Sequence, residues 1–383
     1  MLPSNRFWIS LSVCGAVGSC LDQNLAAEDI NQKILGSSSS SIDRDDVFLH
    51  LQGEEAEGRF GMPTFAGIPY VHCFKDDDDI AYDIAILGAP FDTGVTGRPG
   101  ARFGPRGIRS GSSRVNPNGW SIYTERNPFQ NWARIVDCGD APLTWLDNTV
   151  ALSTLEKAHL KVSGRPAKSS DKGSVPRIIT LGGDHTTTLP ALRAAYKRWG
   201  EISVVHFDAH IDTWDPKVLG KVSPYAAVNH GTFLHIAHQE GLISNNSIHA
   251  GIRAPIARPK EDMENDRRCG FSTITARDID KIGASAIVQK IRDRVGGSNV
   301  YVSVDIDVLD PAFAPATGTA EPGGWSTREF LTILEGLVGL KVVGADVVEV
   351  APVYDTAAEI TVLAATEIVQ SLLDMMVQVP VGE

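Results

Sequence analysis

The sequence predicts an α/β protein with three layers, α/β/α, and a mostly parallel sheet in the middle. Short apolar runs recur along the chain, and helical patterns lie between most of them, such as 189–199 and 284–295. Strands that are apolar throughout are typical of a parallel sheet that helices cover on both faces. No repeat or second domain is visible, and 383 residues can form one large core. The apolar runs are at 84–87, 134–136, 177–181, 202–207, 248–252, 300–304 and 342–348.

The N-terminal part of the chain differs from the rest in composition. Residues 1–20 carry Arg6, then the uncharged apolar stretch 7–17, then small residues, which is the pattern of a secretory signal peptide. Residues 21–59 are polar and predict a flexible arm. We therefore place a single folded domain at residues 60–383. The N-terminal segment favours the secretory pathway or the extracellular space, with the cytoplasm and the mitochondrion as alternatives.

The net charge of the chain limits which classes of partner it is expected to bind. The formal net charge is −12, so nucleic acid and anionic membranes are poor partners, and a cationic small molecule suits the chain better. No apolar run approaches the ~20 residues that a membrane span needs.

Signal cleavage would leave Cys73, Cys138 and Cys269, an odd number that predicts free thiols rather than a disulfide framework. The aspartates at 76–79 predict a solvated turn, and Asn245 begins a glycosylation sequon.

One strand end carries three side chains that can bind a metal. The apolar run 202–207 leads into Asp208, His210 and Asp212 at alternate positions. In an extended backbone alternate side chains point the same way, so these three are expected on one side. Two carboxylates in a partly buried place repel each other and lose hydration unless a cation joins them. The alternative is a surface loop that happens to carry acids.

Two further strand ends bring ligands to the same edge of the predicted sheet. Gly182 and Gly183 precede His185 after one strand, and Asp305 and Asp307 follow another. In an open parallel sheet, ligands bind at the carboxyl ends of the strands. Two histidines and four aspartates are too many for one tetrahedral zinc. They suit two divalent ions that share carboxylates, and the oxygen-rich set favours Mn²⁺.

Three segments resemble the signatures of the ureohydrolase (arginase/agmatinase) family. They are Leu-Gly-Gly-Asp-His at 181–185, Asp-Ala-His-Ile-Asp at 208–212, and Ser-Val-Asp-Ile-Asp-Val-Leu-Asp-Pro at 303–311. The resemblance implies an arginase-like fold and two Mn²⁺ ions per subunit. The implied ligands of the first ion are His185, Asp208, Asp212 and Asp305. Those of the second are Asp208, His210, Asp305 and Asp307, so that Asp208 and Asp305 would bridge the two ions.

Other segments resemble the agmatinase branch of this family. Stretches similar to motifs of that branch lie at 96–105, 251–253 and 314–319. Residues 229–232 are similar to the loop that carries the branch's catalytic histidine, which here is His230. Glu349 stands where the family uses a carboxylate to bind the substrate guanidinium. Ala316 and Ala320 depart from the agmatinase pattern beside the expected site and leave the substrate open.

The resemblance implies a homo-oligomeric amidinohydrolase, a trimer or a hexamer, that releases urea from a guanidino compound. Glu349 would hold the guanidinium, Asp212 would relay a proton to the leaving amine, and His230 would exchange protons with solvent. Agmatine, which would give putrescine and urea, is the first candidate substrate, and 4-guanidinobutyrate is the second. A metal-binding relative without activity is the alternative from another functional class.

The remaining histidines and arginines have structural interpretations. His206, inside a predicted strand, is expected in the core or beside the metal ligands. Structural or exposed positions are expected for His235, His238 and His249. Salt bridges or subunit contacts are expected for Arg98, Arg102 and Arg106.

Overall fold

The structure is a computed structural model, and it describes residues 63–75 and 80–382. Within these residues, eight strands form one sheet in which every neighbouring pair is parallel. The strands are β1 (Ile84–Gly88), β2 (Ile135–Asp140), β3 (Arg177–Leu181), β4 (Ser203–Phe207), β5 (Ser247–Ile252), β6 (Phe271–Thr275), β7 (Asn299–Asp305) and β8 (Lys341–Val348).

The order of the strands determines which loops meet at the site. Across the sheet the order is β2-β1-β3-β8-β7-β4-β5-β6, so β3, β8, β7 and β4 form its centre. Since all strands are parallel, their carboxyl ends lie at one edge. Every residue of β1, β3 and β4 is buried, which requires cover on both faces of the sheet and confirms the predicted fold class.

Eight α-helices in the described residues connect the strands and cover the sheet. They are α1 (Gly104–Gly111), α2 (Asn148–Ser163), α3 (Thr188–Trp199), α4 (Phe233–Gln239), α5 (Pro259–Arg268), α6 (Asp278–Val295), α7 (Thr327–Gly336) and α8 (Ile360–Gln378). The helices predicted at 189–199 and 284–295 are confirmed as α3 and as most of α6. Gly283, with a φ of 74°, breaks the helical geometry of α6 just before the predicted segment.

Two features of the fold differ from the sequence-based expectation. Strand β6 was missed, because an edge strand that is only partly buried contains serine and threonine instead of a continuous apolar run. Helix α8 has 19 residues, and a window of 18 of them has a mean hydropathy of 1.5, so by length and composition alone it could cross a membrane, which the lack of a long uninterrupted apolar run did not indicate. The same window of α8 is 72% buried inside the domain, as expected of a core helix.

A disulfide joins Cys73 to Cys138, which corrects the prediction of free thiols. The segment before Cys73 runs alongside β2, where Val71 donates to the carbonyl of Asp137 and Asp137 donates to that of Pro69, both at 2.9 Å. This pairing brings the two cysteines together across 65 residues of sequence. An odd number of cysteines still permits one pair, and Cys269 remains as a free, buried thiol.

Some sequence-based expectations fall outside the described residues. These are the signal peptide at 1–20, the flexible arm at 21–59 and the turn at 76–79.

We predict that the Cys73–Cys138 bond stabilises the domain by about 2–4 kcal/mol, because it restricts the unfolded chain over a long loop. The free energy of unfolding, measured by denaturant titration, should fall by this amount in Cys73→Ser and in Cys138→Ser. A reductant should lower the stability of the wild-type protein and leave both variants unchanged. Equal stability of the oxidised and reduced wild-type protein would contradict the prediction.

Candidate active site

The turn after β3 places His185 at the centre of the sheet edge. A side chain at Gly183 would overlap the carbonyl of Phe91, so glycine is required there. Asp184 then donates its backbone N–H to that carbonyl at 2.7 Å. The Asp184 carboxylate accepts from the backbone of Thr186 at 2.9 Å and of Gly94 at 2.7 Å. These bonds start a short 3₁₀ turn that aims the imidazole of His185 at the neighbouring strand ends.

One group of ligand atoms surrounds the Nδ1 of His185. This nitrogen lies 3.1 Å from Asp208 Oδ2, 3.2 Å from Asp212 Oδ2 and 3.3 Å from Asp305 Oδ2. Ligands about 2.1 Å from an octahedral ion lie about 3 Å from one another, so the spacing fits a coordination shell. Among the described residues, His185 Nδ1 and Asp208 Oδ2 are buried without a hydrogen-bond partner, as expected of atoms that bind a cation.

A second group lies on the other side of Asp208. The Nδ1 of His210 is 3.2 Å from Asp208 Oδ1 and 3.1 Å from Asp307 Oδ2. Asp208 therefore presents one oxygen to each group, as a bridging carboxylate would. The second expected bridge, Asp305, directs Oδ2 toward His185, while its Oδ1 accepts from the backbone N–H of Asp307 at 2.8 Å. The six predicted ligands thus form two adjoining clusters.

The three predicted ligands that follow β4 do not lie on an extended strand, as the sequence analysis expected. Strand β4 ends at Phe207, and the residues that follow it form a loop. Asp212 has a φ of 49°, which turns its side chain back toward the first cluster while His210 faces the second. The expectation that an extended backbone places all three side chains on one side is therefore wrong. All three reach the site, but they do so from a loop.

Burial of several carboxylates in one place creates an electrostatic conflict. Burial, with repulsion from neighbouring acids, raises the pKa of Asp305 well above its ordinary value and that of Asp307 to about 6. Burial also opposes ionisation of Asp208, but the imidazoles of His185 and the other neighbouring histidines hold its pKa well below the ordinary value. Divalent cations resolve this conflict, because they favour the ionised form of every carboxylate around them. The donor set of oxygen and imidazole groups fits such ions.

A buried carboxylate that the sequence analysis gave no role orients His185. The Nε2 of His185 lies 2.8 Å from the hydroxyl of Ser303, which donates to Asp346 at 2.7 Å. Asp346, on β8, also accepts from Tyr301 at 2.9 Å and from Thr188 at 2.8 Å. The only signal of this network in the sequence was one acid inside an otherwise apolar strand.

Two of the three residues predicted to act on the substrate, His230 and Glu349, are in direct contact. His230 Nδ1 lies 2.9 Å from Glu349 Oε1, which also accepts from the backbone of His185 at 3.0 Å. The other oxygen, Oε2, is buried and has no hydrogen-bond partner among the described residues. Burial alone would lower the pKa of His230, but the Glu349 carboxylate raises it to about 9. At the other ring nitrogen, the hydroxyl of Thr96 lies 2.7 Å from His230 Nε2.

A cavity of about 290 Å³ opens over the site. His210, Asp212 and Asp305 line it together with His230. Its walls contain small and apolar residues, and Asp262 also lines it; no lysine or arginine is among the described lining residues. The wall residues are Trp214, Val218, Leu219, Gly231, Pro255 and Ala257.

The structural interpretations of the other histidines hold for the buried ones. His206 lies 3.2 Å from Asp208 and is fully buried, and His249 is equally buried beside it. His235 is buried next to Asn265, 3.1 Å from its amide, and His238 is half-buried.

The three arginines that precede or begin helix α1 have different surroundings. Arg102 forms the expected salt bridge, to Asp92 at 2.5 Å. Arg98 instead donates to the carbonyl of Thr317 at 2.9 Å, and Arg106 is exposed.

Comparisons with known proteins agree with this geometry. A model of the arginase family matches residues 82–374. "Putative agmatinase 1" of Schizosaccharomyces pombe is 53% identical over 349 residues, which cover 88% of this chain and 88% of that protein. The guanidinobutyrase of Pseudomonas aeruginosa is 35% identical over 330 residues, covering 85% of this chain and 97% of that protein.

A solved structure extends the agreement to three dimensions. The proclavaminate amidino hydrolase of Streptomyces clavuligerus superposes with a TM-score of 0.73 at 36% identity, over 83% of this chain and 98% of that one. The chain therefore belongs to the arginase family, within its agmatinase branch.

Proposed function

We propose that the protein hydrolyses a guanidino compound to urea and an amine, and that agmatine is this compound. One observation carries the proposal: the free oxygen of Glu349 belongs to a side chain that also contacts His185 and His230, so the guanidinium-binding group adjoins the metal ligands. The relatives named as agmatinases support the choice of substrate.

The six ligands would hold two Mn²⁺ ions, with Asp208 between them. When bound, two divalent ions supply an activated water at neutral pH. Asp305 would serve both ions, and the hydrogen bond from His185 to Ser303 would fix the orientation of that imidazole. The preference for manganese follows from the predominance of carboxylate ligands and the absence of thiolate from the set.

The chain itself supplies binding and proton transfer. Glu349 Oε2 would accept a hydrogen bond from the planar guanidinium, whose charge assists that bond. Since Oε1 is occupied by His230, a substrate would share the carboxylate with this imidazole. His230, at the cavity wall, would exchange protons with solvent, and Asp212 would deliver a proton to the leaving amine.

The cavity supports a substrate with a cationic tail. Its lining combines apolar walls with Asp262, whose carboxylate is paired with Arg258 at 2.5 Å. Because Arg258 already neutralises Asp262, the support for agmatine is that the carboxylate of 4-guanidinobutyrate would meet no basic side chain among the described lining residues. The similarity to a guanidinobutyrase keeps that compound as the second candidate.

A parallel assay tests the proposed substrate. Urea release would be measured with the Mn²⁺-loaded protein and agmatine, 4-guanidinobutyrate, 3-guanidinopropionate or arginine. We expect the highest kcat/KM with agmatine. A higher value with a carboxylate-tailed compound would replace agmatine, and no urea from any of the four would leave a metal-binding relative without activity.

Location and assembly form a separate proposal. Disulfides persist in oxidising compartments, so the Cys73–Cys138 bond supports passage through the secretory pathway. N-terminal sequencing of the natively produced protein tests this, since an intact Met1 would oppose removal of a signal peptide.

A trimer or hexamer is proposed from family membership, and sedimentation analysis would test it.

We predict that Glu349→Gln lowers kcat/KM by about 10²-fold or more and leaves both metal sites intact. The amide keeps the shape of the side chain but removes the charge that would pair with the guanidinium. Metal content and steady-state kinetics are measured on the same preparation. Glu240→Gln, which removes the acceptor of a surface ion pair with Arg193, is the control and should behave as wild type. Loss of metal from Glu349→Gln, or a normal kcat/KM, would contradict the assignment.

We predict that His230 titrates near pH 9 in the metal-free protein, because Glu349 stabilises its charged form. In Glu349→Gln its pKa should fall toward the ordinary ~6.5. Since the folded-state pKa is raised, the pair stabilises the fold fully below about pH 6.5 and loses this contribution as the pH rises through 9. NMR titration of the imidazole measures the shift. An unchanged pKa in the variant would show that Glu349 is not its cause.

A further inference from the structure

The glycosylation sequon that begins at Asn245 lies in a turn on the surface of the domain. It is the one Asn-X-Ser or Asn-X-Thr pattern in the 383 residues of the chain. Asn245 and Asn246 form the turn, and β5 begins at Ser247. Asn245 is exposed, whereas Asn246 is half-buried and Ser247 is buried. The side chain that a glycan would modify is therefore the accessible one of the three.

The backbone of this turn is held by contacts with two neighbouring elements. Arg294, near the end of α6, donates through Nη2 to the carbonyl of Asn245 at 2.6 Å and to that of Gly270 at 2.8 Å. Its Nε donates to the carbonyl of Ser247 at 3.1 Å. A side chain at Gly270 would overlap the Cα of Asn245, so the glycine leaves room for the turn. These contacts fix the backbone without using the side chain of Asn245.

The two asparagines of the turn differ in what their carboxamides contact. The oxygen of Asn246 accepts from the hydroxyls of Ser203, at 2.7 Å, and of Ser244, and its nitrogen donates to the carbonyl of Val295 at 3.3 Å. The carboxamide of Asn245 forms no hydrogen bond with any described residue. A group attached to its Nδ2 would therefore displace no interaction of the fold.

The turn lies at the end of the sheet opposite to the candidate active site. It precedes the first residue of β5, whereas the predicted metal ligands follow the carboxyl ends of the strands. The six residues of β5, at about 3.3 Å each, separate the two ends by ~20 Å. A glycan on this turn would leave the cavity over the site accessible.

A second, independent feature of the chain is compatible with the same modification. The bond between Cys73 and Cys138 belongs to an oxidising compartment. In eukaryotic cells the secretory pathway provides such a compartment, and sequons in surface loops are glycosylated there. The disulfide and the exposed sequon lie in different parts of the sequence, and both suit a protein that passes through this pathway.

We propose that Asn245 carries an N-linked glycan in the native protein. The proposal rests on the proposed passage through the secretory pathway. The donor is an oligosaccharide linked to a lipid pyrophosphate through N-acetylglucosamine. Nδ2 of Asn245 forms a bond to the anomeric carbon of this sugar, and the bond between that carbon and the pyrophosphate oxygen breaks. Nδ2 loses one proton, and the lipid pyrophosphate leaves. The transfer takes place before β5 buries the hydroxyl of Ser247.

The experiment compares full-length wild type, Asn245→Gln and Asn118→Gln, each produced with its own N-terminal segment in a eukaryotic host. Gel mobility is measured before and after treatment with peptide N-glycosidase, which releases the glycan and leaves an aspartate at the modified position. Mass spectrometry of peptides that contain residue 245 detects this change. Asn118→Gln is the matched control, because it alters an exposed asparagine outside any sequon. N-terminal sequencing of the same samples reports on removal of the signal peptide.

We expect the glycosidase to increase the gel mobility of wild type and Asn118→Gln and to leave that of Asn245→Gln unchanged. In treated wild type, residue 245 should be found as aspartate, a result that does not depend on the folding of either variant. An unmodified Asn245 in protein that has lost its signal peptide would overturn this inference alone. An unmodified Asn245 together with an intact N-terminus would overturn the proposed secretory passage as well. A glycan that persists in Asn245→Gln would also overturn the assignment to this residue.

Discussion

The repulsion among buried carboxylates at the centre of the sheet edge is the constraint on which the site depends. Asp208, Asp212, Asp305 and Asp307 lie close together and are almost fully buried, an arrangement that is unfavourable without positive charge. The two histidines among the ligands reduce the repulsion but cannot balance four carboxylates. The same conflict that destabilises the metal-free fold therefore provides the affinity for divalent cations.

The parallel sheet brings these side chains together at one edge. Its four central strands deliver the predicted ligands and the carboxylate proposed to bind the guanidinium to one edge. The strands fix the backbone position from which each side chain projects. Short turns with unusual backbone angles then direct the carboxylate and imidazole atoms toward the site. Glu349, with a φ of 60°, is one such position just beyond β8. A site built this way holds its groups in place before any ligand arrives, which reduces the cost of reorganisation during a reaction.

The parts of this account that the sequence predicted are those with a local pattern. Apolar runs predicted seven of the strands, and alternating acids beyond them predicted the candidate ligands, because each of these signals lies within a few neighbouring residues. The contact of His230 with Glu349 spans 119 positions, and the pairing of Cys73 with Cys138 depends on a segment that lies beside β2. Contacts between residues so far apart in the sequence leave no local pattern.

The most direct test of the central claim is anomalous diffraction from crystals of the Mn²⁺-loaded protein, recorded at the manganese absorption edge. The account predicts two ions in each subunit, one beside His185 and one beside His210, with an oxygen of Asp208 bound to each. A single ion, or two ions of which only one contacts Asp208, would contradict it.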